Sequence, residues 1–245
     1  MKSVKDMMLL YAVTDRYWTG RQTLTEQVEE AIRGGVTCVQ LREKELDDTE
    51  FLSEANEIKK LCKRYDVPFI VNDNVDVALK CGADGIHVGQ HDMKLEKVRA
   101  LTGGKMIVGV SAQTVEQAKE AEKNGADYLG VGAMFSTGTK LDADDVSYET
   151  LKAICAAVSI PVVAIGGINK GNIMQLSGSG ADGLCPCGIF VYRLRHFVLQ
   201  TAEKRAVFSQ IHNSIPQFWP LPQPLTMDSQ KKFAAISIFL RKTGK

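Results

Sequence analysis

Eight short runs of β-branched and aliphatic residues punctuate the first 190 positions: LLYAVTD, TCVQLRE, PFIVND, GIHVG, MIVGVS, YLGVGAM, PVVAIGG and GLCPCGI. Their length and composition read as strands. The segments between them follow a different rule. TLTEQVEEAIRGG, DTEFLSEANEIKKLCKRY and TVEQAKEAEKNG carry apolar residues at three- and four-residue spacing, and several close on glycine, as helices do. Strand-like and helix-like segments alternating in this way predict parallel βα units. The count and length fit a closed (β/α)8 TIM barrel, with a doubly wound open sheet as the alternative. Turns of the form CGADG, NGADY and GSGADG recur just before strands and mark repeated helix-to-strand connections.

This pattern stops near Val191. Beyond it stand nine Lys or Arg and two acids, a net charge of +7, while the first 190 residues carry −6. Twenty of the 21 glycines precede that border, and four of the seven prolines crowd into IPQFWPLPQP after it. Residues 1–212 are therefore expected to form the barrel domain, with an atypical eighth strand. Residues 213–245 are expected to form a tail, first Pro-rich and then basic. Such an abrupt change is also what a shifted reading frame would produce, a question the coding DNA answers.

Over all 245 residues the net charge is only +1, which gives no field to recruit nucleic acid or an anionic membrane. No apolar run reaches about 18 residues, so no transmembrane helix is expected. Six cysteines are scattered without a CxxC pair, which points to reduced thiols and a cytoplasmic protein. The sequence leaves room for an oligomer.

A barrel carries its chemistry at the C-terminal ends of its strands. In Gln40-Leu41-Arg42-Glu43-Lys44, alternation puts Gln40, Arg42 and Lys44 on one face, with Val39 and Leu41 turned to the outer helices. Two cations on one face suit a polyanion such as a diphosphate, though a solvated strand exit reads the same way. The next two strands end in Asn72-Asp73-Asn74 and Gly89-Gln90-His91-Asp92. Two carboxylates there suit one magnesium ion, and Asp73, Asn74 and Asp92 also stand where plain helix caps would. Ser111 closes the fifth strand. Ser136-Thr137-Gly138-Thr139-Lys140 makes a hydroxyl-, glycine- and lysine-bearing loop suited to phosphate, and it is not a P-loop. Ile165-Gly166-Gly167-Ile168 is expected to open the seventh helix and offer its N–H groups to an anion. By strand parity with Gly85 and Gly89, His87 points into the barrel, in a core or supporting role. His91 reads as a loop residue.

Taken in order, YAVTDR, VQLREK, IVNDNVDVA, ADGIHVGQHD, VGVSAQT, GADYLGVGAMFSTGTK and PVVAIGGI resemble thiamine phosphate synthase over roughly residues 9–183. The resemblance implies a TIM barrel transferase of thiamine biosynthesis. Such an enzyme joins a hydroxymethylpyrimidine diphosphate to a thiazole phosphate and releases pyrophosphate, with Mg2+ as cofactor. It implies that Gln40, Leu41, Arg42, Glu43 and Lys44 hold the pyrimidine and its diphosphate, together with Asn72. Asp73 and Asp92 would be the magnesium ligands. Ser111 would lie near the pyrimidine and Lys140 at the diphosphate, and these two with Lys44 would serve catalysis. Thr137, Thr139 and Gly167 would take up the thiazole phosphate.

The eighth strand departs from that pattern. Gly183-Leu184-Cys185-Pro186-Cys187-Gly188-Ile189-Phe190 lacks the serine expected at the thiazole phosphate, and Pro186 stands where a central strand rarely accepts proline. Two alternatives follow: a barrel that binds thiamine precursors without turnover, or a thiazole tautomerase-like isomerase. The second fits less well, because Gln113 replaces the histidine of that activity.

Overall fold

Eight parallel strands form one sheet in strict chain order, in a computed structural model that describes residues 3–16, 22–136 and 145–186. They are β1 (Tyr11–Val13), β2 (Cys38–Leu41), β3 (Phe69–Asn72), β4 (Gly85–Val88), β5 (Ile107–Ala112), β6 (Tyr128–Val131), β7 (Val162–Ile165) and β8 (Gly183–Cys185). The sheet curls until β8 meets the start of β1. A parallel bridge pairs Leu10 with Leu184, and the Leu184 N–H donates to the Leu9 carbonyl at 3.1 Å. Gly183 makes that seam: a Cβ there would lie 1.9 Å from the Met8 carbonyl oxygen. The expected (β/α)8 barrel is therefore present, and the open sheet is excluded.

The sequence dictates two layers. Along β2, Val39 and Leu41 are fully buried between strand and helices, while Cys38 and Gln40 face the barrel interior. Tyr11, Ile70, Tyr128, Val163 and Cys185 fill the inner layer. The helices supply matching stripes. After the short α1 (Val4–Met8), α2 (Leu24–Arg33) buries Leu24, Val28 and Ile32, one per turn. In α3 (Asp48–Arg64), Phe51, Ala55, Ile58, Leu61 and Cys62 do the same work.

Local chemistry starts each helix. Thr23 and Glu26 form a reciprocal capping box at α2. Asp47 accepts the Thr49 and Glu50 N–H groups at 2.9 Å each. Asn74 caps α4 (Val75–Cys81), which ends on left-handed Gly82 at φ 64°. The recurring Gly-Ala-Asp turns have a common purpose. The carboxylates of Asp84, Asp127 and Asp182 accept the N–H of Phe69, Val108 and Val162, each on the strand before. Each also pairs with a cation, respectively Lys59, Arg99 and Lys5. These aspartates lock neighbouring strands in register at the end of the barrel where strands begin.

Two expectations need correction. The chain after β7 does not open a helix at Gly166-Gly167. Both residues have positive φ, 98° and 63°, which an α-helix cannot contain. An Asn169 side chain then accepts the Gly171 N–H, and only a single 3-10 turn, Ile173–Leu176, follows. Pro186, in turn, does not interrupt a strand. The last paired residue of β8 is Cys185, opposite Ile165, so the proline lies just past the ladder. The Pro-rich and basic tail lies outside the described residues.

Candidate active site

The C-terminal mouth of the barrel opens into a cavity of about 330 Å³. Gln40, Arg42 and Lys44 line it from β2 and the loop after it, as alternation requires. Gln40 is buried and directs its amide nitrogen to Tyr11 Oη at 3.0 Å. The Arg42 backbone is held by Thr14, whose Oγ1 accepts the Arg42 N–H at 2.9 Å. No carboxylate among the described residues pairs with the Arg42 guanidinium, and Arg42 lines the cavity.

Leu41 and Glu43 point elsewhere. Leu41 is fully buried in the strand–helix layer and does not line the cavity. Glu43 is a buried clamp. Its carboxylate accepts the N–H groups of Lys44 and Glu45 at 2.8 and 2.9 Å, and Arg16 Nε at 2.5 Å. Arg16 in turn reaches Glu54 on α3. Burial disfavours the Glu43 charge, but the Glu45 and Lys44 amides and Arg16 outweigh it and hold its carboxyl below the usual range. Glu43 thereby fixes the backbone that presents Lys44.

Two carboxylates meet at the rim, and one of them pairs with Lys44. Asp73 follows β3 in the left-handed region, φ 60°, with its N–H donated to the His87 carbonyl at 2.8 Å. Its carboxylate bonds the Lys44 ammonium. Asp92 folds back so that Oδ2 accepts the Gly89 N–H at 2.7 Å. Burial first, and then the neighbouring Asp92, push the Asp73 carboxyl above its ordinary range, against the pull of Lys44. Neither aspartate caps a helix: Asn74 caps α4, and Lys94 stands at the cap of α5 (Leu95–Thr102). Among the described residues no group of three or more His, Cys, Asp or Glu gathers. A hard dication here would rest on this pair, with substrate and water oxygens completing its shell.

The inner wall is polar where β3, β4 and β5 end and apolar where β6 and β7 end. Asn72, His87 and Ser111 stand on the first part, Ala133, Val163 and Ile165 on the second. Gln90 and His91 also reach the cavity, so the loop after β4 contributes more than Asp92. Gly167 is buried behind the mouth, where a Cβ would lie 2.4 Å from the Phe135 carbonyl oxygen. Thr137, Thr139 and Lys140 lie outside the described residues. Sequence reasoning passed over Tyr11 and Tyr128, which also line the cavity. Their inward parity beside Val13 and Gly130 was the available signal.

The family model described as thiamine monophosphate synthase matches residues 10–188. The chain belongs to the thiamine monophosphate synthase family. The thiamine-phosphate synthase of Clostridium acetobutylicum is 52% identical over 175 residues, 71% of this chain and 83% of its own. That of Ruminiclostridium cellulolyticum is 53% identical over 184 residues, 75% of this chain and 87% of its own. A solved thiamine phosphate pyrophosphorylase from Pyrococcus furiosus superimposes with a TM-score of 0.73 at 34% identity, covering 87% of this chain and all of that one. The family match ends just before Val191, where charge and glycine content change.

Proposed function

We propose that the cavity joins 4-amino-2-methyl-5-(diphosphooxymethyl)pyrimidine to a thiazole phosphate, giving thiamine phosphate and pyrophosphate. The observation that carries this reading is the grouping at the barrel mouth. Arg42 and Lys44 stand beside the Asp73/Asp92 pair, over a wall of amide and hydroxyl groups. That set suits a diphosphate leaving group held by cations.

The residues fit a magnesium ion. Asp73 and Asp92 supply hard oxygen donors, and the upward push that burial and Asp92 exert on the Asp73 carboxyl is what a dication relieves. When bound, the ion would neutralise diphosphate oxygens. Gln40, Asn72 and Ser111 meet the pyrimidine. Lys140 joins the diphosphate site, and Thr137, Thr139 and Gly167 the thiazole phosphate.

The course is dissociative. The methylene C–O bond breaks, and its electron pair leaves on the diphosphate, whose charge Arg42 and Lys44 hold. The electron-rich aminopyrimidine delocalises the cation that remains. The thiazole nitrogen lone pair then forms the C–N bond, and no proton passes to or from the protein. Val163, Ile165 and Ala133 line the apolar side and keep water from capturing the cation first. The protein contributes position and field.

The described cysteines are all free, which supports a reducing, cytoplasmic setting. No described helix is long and apolar enough to cross a membrane. The partners we propose are the two small-molecule substrates, with no nucleic acid. A second reading, binding without turnover, draws support from Pro186 on the cavity wall where the family has a serine nearby. Gln113 on the same wall argues against a tautomerase.

Pyrophosphate release by the full chain with magnesium tests the proposal. Release that requires both substrates is the expected result. Binding of both by calorimetry without release would establish the second reading instead.

A further inference from the structure

Five side chains form a continuous hydrogen-bonded chain along the inner wall of the cavity. Gln40 Nε2 donates to Tyr11 Oη at 3.0 Å. Tyr11 Oη and Tyr128 Oη lie 2.7 Å apart, and Tyr128 Oη is 3.0 Å from His87 Nδ1. His87 Nε2 is 3.0 Å from Ser111 Oγ. Every link has hydrogen-bond length. The chain starts on β2, passes through β1, β6 and β4, and ends on β5. Its rings also pack together, with centroids of Tyr11 and Tyr128 at 5.8 Å and of His87 and Tyr128 at 5.5 Å. Room is reserved for it: a Cβ at Gly130 would lie 3.0 Å from His87 Cε1.

With Gln40 donating, one direction keeps every proton of the chain within it. A phenol owns one proton. Tyr11 accepts from Gln40; in that direction its own proton goes to Tyr128, and that of Tyr128 goes to His87 Nδ1. A neutral imidazole that accepts at Nδ1 carries its proton on Nε2, where it is donated to Ser111 Oγ. Ser111 keeps its own hydroxyl proton to offer the cavity. At the other end the Gln40 amide nitrogen is committed to Tyr11, which leaves the Gln40 carbonyl oxygen as the acceptor for a ligand. Among the described residues no buried side-chain polar atom lacks a partner, so that oxygen opens to the cavity. Burial, the largest effect on both phenols, keeps them protonated far above neutral pH.

We propose that this directed chain sets the orientation of the bound pyrimidine, with Tyr11, Tyr128 and His87 as positioning residues that fix Gln40 as acceptor and Ser111 as donor. The inference rests on the synthase reading for the identity of the ligand. An aminopyrimidine offers the matching pair on one edge, an exocyclic amino group that donates and a ring nitrogen that accepts. The 4-oxo analogue offers the reverse, a carbonyl that accepts and a ring N–H that donates. To welcome it, every link of the chain and the Gln40 amide must reverse together. The site therefore selects the amino compound through residues beyond the two that meet its polar edge.

Two measurements test this. The first uses 15N NMR of histidine-labelled protein without substrate, the His87 signals being those lost in His87→Gln. A neutral ring with its proton on Nε2 is expected, and a proton on Nδ1 would overturn the direction whatever the chain's activity. The second compares kcat/KM for the amino substrate and its 4-oxo analogue in the parent and in Tyr128→Phe, which keeps the ring and cuts the chain. The parent should prefer the amino compound by about 100-fold or more, and the variant should lose about 10-fold of that preference with KM for thiazole phosphate unchanged. An unchanged preference in folded Tyr128→Phe, or an equal loss toward both pyrimidines, would overturn the proposal. Failure of the parent to turn over the amino substrate would count against the synthase reading alone, because the histidine proton still decides the chain's direction.

Discussion

The ring of Tyr128 fills the space that a side chain at Gly109 would need. A Cβ built on Gly109 would lie 2.1 Å from Tyr128 Cζ. The two residues pair across β5 and β6, and the tyrosine is fully buried with its hydroxyl bonded on both sides. It has nowhere to go.

Gly109→Ala should therefore destabilise the barrel by about 1–3 kcal/mol, the usual cost of overpacking a core. Denaturant unfolding checks this through a lower midpoint at unchanged slope. A midpoint equal to the parent's would mean that Tyr128 can move aside.

Glu43 gives a pH signature. Its folded pKa lies below the unfolded value near 4.5, so its stabilising effect is complete above that value. The effect is lost as pH falls through the folded pKa. The stability gap between the parent and Glu43→Gln should be largest near neutral pH and should close as the medium is acidified below about pH 4. Chemical denaturation across that range measures it, and a gap independent of pH would separate the clamp from the charge.

Asp92→Asn should raise the magnesium concentration for half-maximal pyrophosphate release by about 10-fold or more, with the thermal midpoint little changed. The carboxylate accepts a backbone N–H that the amide oxygen can still accept, so geometry survives while charge is lost. An unaltered magnesium titration would remove Asp92 from the proposed ion site.

Cys62 and Cys155 should resist alkylation in the native protein. Burial pushes both thiols up to about 12, which leaves almost no thiolate at pH 8. Peptide mapping after brief treatment with iodoacetamide should find both unmodified, and both modified once denaturant is added. Labelling of Cys62 without denaturant would reveal local opening of α3.

Periodicity made the barrel legible. Eight strand runs and the inward parity of Gln40, Arg42, Lys44 and His87 follow from the two-residue repeat, which survives any packing detail. The Gly166-Gly167 turn was misread because glycine is common both at a helix start and in left-handed turns, and only φ separates them. Glu43 sat inside a motif of ligand-facing residues, yet its odd parity turned it to Arg16 and its own loop. Tyr11 and Tyr128 looked like core aromatics, which they are. What a sequence cannot display is that their hydroxyls touch each other across 117 residues.

The seam between Leu9 and Leu184 also orders events during synthesis. Until Cys185 has left the ribosome, β1 through β7 can build only an open sheet with two bare edges. Those edges, at β1 and β7, are templates for another chain. A nascent or truncated product ending before Gly183 is accordingly an association-prone ribbon. The three residues of β8 convert it into a closed, edgeless surface.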